Sequence, residues 1–64
     1  MTQSYVIEVG DESAGLVVAE RGGYRFFASR DRFARLEGRV FATPQAAERA
    51  ANDEARRKKA VARG

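Results

Sequence analysis

The sequence predicts an α+β domain: a three-stranded antiparallel β-meander, then a short helical turn and one C-terminal α-helix packed on the sheet. Three observations predict it. Runs rich in β-branched and aromatic residues alternate with glycine-containing turns between residues 4 and 29. Thr43-Pro44 opens a run of strong helix formers. The chain has 64 residues and no cysteine. A chain of that length forms one domain at most and buries only about 60% of the surface its unfolded form exposes.

Tyr5-Val6-Ile7-Glu8-Val9 is the first β-rich run, within a strand expected over 4–9. Gly10-Asp11-Glu12-Ser13 supplies turn chemistry. Leu16-Val17-Val18-Ala19-Glu20 marks the second strand, over 15–21. Gly22-Gly23 suits a two-residue hairpin loop, because glycine reaches positive φ without steric cost. Tyr24-Arg25-Phe26-Phe27-Ala28 forms the third strand, over 23–29.

A loop at Gly22-Gly23 sets a register in which Ala19 faces Phe26, Val18 faces Phe27 and Glu20 faces Arg25. One sheet face then carries Val17, Ala19, Tyr24, Phe26 and Ala28. The other carries Leu16, Val18 and Phe27 with the Glu20–Arg25 pair. Both faces are apolar, and one helix covers only one of them.

Ser29 to Gly38 reads as one or two helical turns, with Ser29 as N-cap and Gly38 as the residue after the C-cap. Phe33 and Leu36 share one side of such a turn. A hairpin about Glu37-Gly38 is the competing reading. Arg39-Val40-Phe41 is extended. Thr43 then caps a helix with Pro44 at its first position, where a missing N–H costs nothing. The helix is expected to run to about Ala60. Its apolar side is Ala46, Ala47, Ala50 and Ala51, interrupted beyond by Glu54 and Lys58. Only its first half is therefore expected to pack well, with residues 4–55 as the packed body and 56–64 as a basic, frayed tail. The expected core is Ile7, Val9, Val17, Ala19, Phe26, Phe33, Leu36, Phe41, Ala47, Ala50 and Ala51.

Charge is split along the chain. Residues 1–20 hold four acids and no base; residues 21–64 hold all twelve bases and five acids. Basic groups among aromatics mark some nucleic-acid surfaces. Arginine outnumbers lysine ten to two beside twelve alanines, and a GC-rich genome alone yields that bias. Arg21, Arg25, Arg30, Arg32, Arg35 and Arg39 flank the third strand and the short helix, and with Arg56 and Lys59 they are the candidate surface for nucleic acid or an acidic protein partner. In the C-terminal run, Asp53–Arg57 and Glu54–Lys58 stand at the favourable acid-first i,i+4 spacing. The phenylalanines read as core; Tyr5 and Tyr24 are better placed for exposure.

Catalysis has little to work with. There is no His, Cys or Trp, so serines 4, 13 and 29 have no imidazole partner. Asp11-Glu12 lacks the ligand set of a calcium loop, and no phosphate-cradling or cofactor motif is present. The expectation is a non-enzymatic protein with no catalytic, cofactor or metal residues and no small-molecule substrate. No stretch approaches the ~18 apolar residues of a membrane span. The N-terminus has no signal-type apolar core. A soluble, cytoplasmic, complete bacterial chain is expected. Its leading role is a self-associating interaction module, a homodimer through the second sheet face. The alternative is a sequence-tolerant nucleic-acid binder, and a third class is an accessory protein that binds another protein through its basic face.

Gly15-Leu16-Val17-Val18, Arg21 to Ala28, Leu36-Glu37-Gly38-Arg39, Phe41, Pro44 and Ala46-Ala47-Glu48 together resemble short uncharacterised proteins of GC-rich bacteria, over most of the chain. That resemblance implies no function. More narrowly, Gly38, Phe41, Thr43, Ala46-Ala47 and Ala50 are similar to the strand-to-helix junction of the ethylene-response-factor and integrase-arm DNA-binding domains. That likeness implies a three-stranded sheet with one helix behind it. The tryptophans of the plant form are absent, and the first two strands do not match.

Overall fold

A computed structural model describes the backbone of residues 3–63 and the side chains of residues 3–57. The chain runs β1 (Ser4–Val9), β2 (Glu12–Glu20), β3 (Gly23–Ala28), a 3-10 helix (Asp31–Leu36), β4 (Val40–Phe41) and α1 (Pro44–Arg63). The four strands form one antiparallel sheet in the order β1-β2-β3-β4. The sheet therefore has one strand more than expected. Arg39-Val40-Phe41 is extended as its composition suggests, but it also pairs with β3, Tyr24 opposite Phe41 and Arg25 opposite Val40.

Two turns differ from the sequence reading. The first loop is only Gly10-Asp11, so β2 begins at Glu12 rather than near residue 15. The extra length is absorbed by a β-bulge. Ile7 pairs with Gly15 and Glu8 with Ser13, leaving Ala14 as the additional residue, fully buried. The second loop is Arg21-Gly22, not Gly22-Gly23. Gly22 takes φ 92° in the turn, and Gly23 is the first residue of β3, opposite Glu20. A Cβ on Gly23 would stand 2.5 Å from the Phe41 carbonyl oxygen, so β4 requires glycine there for close approach. Moving the loop by one residue shifts each cross-strand partner by two, so Ala19 faces Tyr24 and Val17 faces Phe26. A shift of two preserves the side-chain alternation, and both sheet faces keep their expected members.

The segment after β3 is helical, not a hairpin. Its N-cap is Arg30, without a side-chain cap, rather than Ser29. The Ser29 hydroxyl donates to the Ser13 carbonyl instead, at 3.1 Å. At the other end Gly38 has φ 82° after the C-cap Glu37, as a helix stop requires. Glu37 also accepts the backbone N–H of Ala28 at 2.8 Å, closing the end of β3. Thr43 caps α1: its hydroxyl accepts the Ala46 N–H at 3.0 Å.

One core lies between the sheet and the two helices. Phe26, Phe33 and Val17 are its largest fully buried side chains, joined by Ile7, Leu36, Phe41 and Ala14 from below and Ala47 and Ala51 from α1. Phe26 and Phe41 meet edge to face at 6.3 Å. Val9 and Ala50 pack at the margin as half-buried residues, with Tyr24, which is not the exposed residue expected. Ala19 is half-buried too, outside that cluster. Packing of α1 continues past Ala51, because Glu54 is buried and Ala55 half-buried. The expected Glu54–Lys58 pair and the basic tail from residue 58 fall outside the described side chains. Asp53 pairs with Arg56 at 3.4 Å.

Truncation at the centre of this core should be severe. Phe26→Ala is expected to cost about 3–5 kcal/mol, enough to remove the cooperative thermal transition of so small a domain by circular dichroism. Phe41→Ala, 9% exposed beside it, should fall at the lower end of that range. Gly15→Ala should destabilise for a different reason: its Cβ would lie 2.2 Å from the Phe27 carbonyl oxygen. A melt of Gly15→Ala unchanged from wild type would show that β2 and β3 are not held that close.

Candidate functional site

Alternation along the strands sends Ile7, Val17, Phe26 and Phe41 to the face under α1 and their neighbours to the opposite face. Among the described residues no helix packs on that second face. Val6, Leu16 and Phe27 lie in register across β1, β2 and β3, and Ser4, Val18, Arg25 and Val40 form the next row across all four strands. The apolar members stay accessible: Val6 is 65% exposed, Val40 46%, Phe27 42% and Leu16 37%. Leu16, Val18 and Phe27 were legible as a second apolar face. Val6 and Val40 extend it to both edges. Val40 could not be placed without knowing that β4 pairs with β3.

Arg25 crosses this patch in a fixed pose. Its Nε and Nη2 donate to the two Glu20 carboxylate oxygens at 2.7 and 3.1 Å, and Nη1 donates to the Gly38 carbonyl at 2.9 Å. Glu20 is diagonal to Arg25 rather than opposite it, a consequence of the shifted loop. The hydrogen bond from Arg25 holds the Glu20 carboxyl below its ordinary 4.5, helped by the guanidinium charge and opposed by partial desolvation. The same hydrogen bond, then the carboxylate charge, raises Arg25. Glu8 also belongs to this face, so it carries two acids against one base.

The other candidate arginines are placed elsewhere and are mostly engaged. Arg32 and Arg30 converge on Glu12, at 2.9 and 3.3 Å. Arg35 reaches toward Glu54 at 3.8 Å, and Arg56 faces Asp53. Arg39 lies over the Phe41 ring at 5.2 Å, and Arg21 is exposed in the β2–β3 loop. Lys59 lies outside the described side chains. Sequence reasoning missed Glu12 and Glu54. Glu12 read as a solvated turn acid; the bulge places it in β2 beside the 3-10 helix. Glu54 read as a break in the alanine stripe, although its spacing of seven from Ala47 puts it on that stripe.

No protein-family model matches the chain, and neither a curated protein nor a solved structure does.

The Glu20–Arg25 contact has a pH signature. A carboxylate whose folded pKa is depressed adds stability that is present above its unfolded pKa and is lost as pH falls through the folded value. An NMR titration should therefore find Glu20 titrating below 4.5 in wild type, and higher in Arg25→Gln. Identical Glu20 midpoints in the two proteins would show that the contact does not persist in solution.

Proposed function

We propose that this protein is a small interaction module whose partner is a second copy of itself, joined through the uncovered sheet face. The observation that carries the reading is the in-register row Val6–Leu16–Phe27, with Val18 and Val40 beside it, on a face that no helix covers among the described residues. Four strands about 4.8 Å apart, averaging about six residues each, give a face of roughly 400 Å². Its apolar members fill part of that area, and the largest apolar patch on a monomer is often functional.

The charges on this face disfavour nucleic acid. Glu8 and Glu20 repel phosphate, and the Arg25 donors are already directed to Glu20 and Gly38. A nucleic acid would need a surplus of free cations. A copy related by a twofold axis offers the same apolar rows, and sheets packed face to face interdigitate such side chains about 10 Å apart. The face is about half the ~800 Å² per partner of a standard interface, so a contact through it alone is weak, on the order of micromolar or weaker.

Phe27 sits centrally, flanked by Leu16, and serves as the anchor. Phe27→Glu should raise the dimer dissociation constant at least about 30-fold, the loss typical of an interface hot spot, while leaving the fold intact by circular dichroism. Sedimentation velocity from micromolar to millimolar concentration reads both. A wild-type chain that sediments as a monomer throughout would overturn the proposal. Anisotropy titration with random DNA and RNA at two salt concentrations checks the nucleic-acid alternative, which requires binding with a steep salt slope.

A further inference from the structure

We propose a second self-association surface: the free edge of β1 pairs antiparallel with β1 of another copy, joining two sheets into one of eight strands. The inference stands on strand geometry and not on the face contact proposed above.

The two edges of the sheet are unequal. β4 has two residues, whereas β1 has six. The Ala19 N–H donates to the Gln3 carbonyl at 2.8 Å, which fixes the phase of the β1–β2 ladder. In an antiparallel pair the bonded residues alternate. Gln3, Tyr5 and Ile7 therefore turn their backbone groups to β2, and Ser4, Val6 and Glu8 turn theirs away from the sheet. The bulge lies in β2 and leaves the alternation of β1 unbroken. Natural edges are usually blunted by proline, charged side chains (lysine above all), a bulge or short length. β1 has no proline and no lysine, its one charge is Glu8 toward its end, and Val6 is its most exposed apolar residue.

The outward groups are self-complementary. Centred on Val6, the pairing sets Val6 against Val6 and Ser4 against Glu8 of the second copy, so every outward N–H and carbonyl of the three residues meets its counterpart. Each Glu8 then faces a serine hydroxyl, at opposite ends of the seam. Centring on Glu8 would instead oppose two carboxylates and leave Ser4 unpaired. The symmetry axis is perpendicular to the sheet, so both α1 helices lie on one side and both uncovered faces on the other. The joined face is roughly 800 Å², the per-partner size of a standard interface.

Amide hydrogen exchange tests this directly. The Val6 N–H has no role in the fold of one copy, so at a free edge it exchanges rapidly at every concentration. The proposal expects its exchange to slow at least about tenfold from micromolar to millimolar chain, in wild type and equally in Phe27→Glu, where the face contact is removed. Ser4→Pro, which leaves the row Val6–Leu16–Phe27 intact, should keep the fold, since proline is tolerated where a strand N–H faces solvent, and should sediment one association step below wild type. If Ser4→Pro does not fold, the exchange of the Val6 N–H in wild type and Phe27→Glu tests the edge alone. Rapid, concentration-independent exchange at Val6 up to millimolar chain would overturn the inference. If wild type still self-associates in that case, the face contact survives alone. Protection that disappears in Phe27→Glu would also overturn it.

Discussion

Close approach of an alanine-faced helix to a single side of the sheet is the constraint on which the rest depends. Ala47 and Ala51 are fully buried, and they contribute almost no volume. The space between helix and sheet must therefore be filled from the sheet and the 3-10 helix. Phe26, Phe33, Val17, Ile7 and Leu36 do that. This division explains why the 3-10 helix is a structural part rather than a connector. Its Phe33 and Leu36 close the side of the core that α1 leaves open. Gly38 and Glu37 then turn the chain back to add β4.

The same constraint leaves a face without cover. A chain this short has one long helix, and it is committed to Phe26 and its neighbours. The alternate side chains of the same strands nevertheless include five apolar ones, Val6, Leu16, Val18, Phe27 and Val40, from one edge to the other. Strands with apolar residues on both faces are characteristic of sheets covered on both sides. Among the described residues no element supplies that second cover. Face and edge lie next to each other, with Val6 belonging to both.

Electrostatics fits that division. The acids of the first twenty residues are not a separate block in space. Glu12 gathers Arg30 and Arg32, and Glu20 gathers Arg25. The −4 stretch of residues 1–20 and the +7 stretch of residues 21–64 are joined through Glu12 and Glu20. These pairs are largely exposed, so they orient the segments they join more than they stabilise them. Glu54 is different, since it is buried on the helix stripe with Arg35 at 3.8 Å from above.

What the sequence by itself determined was local. Period-two alternation, the glycine turns and the Thr43-Pro44 cap are written in neighbouring residues, so β1 to β3, the start of α1 and the faces of β2 and β3 were readable. The face assignment survived even a misplaced loop, because a shift of two residues keeps the alternation. Tertiary structure alone decided what depends on residues far apart in the chain. β4 exists as a strand only because β3 offers it hydrogen bonds. Position 23 needs glycine because β4 pairs there and the Phe41 carbonyl leaves no room for a Cβ. The bulge at Ala14, which buries that residue and carries Glu12 to its arginines, answers to the pairing with β1. Such features are set by contacts between strands, and no short window of sequence contains both sides of the contact.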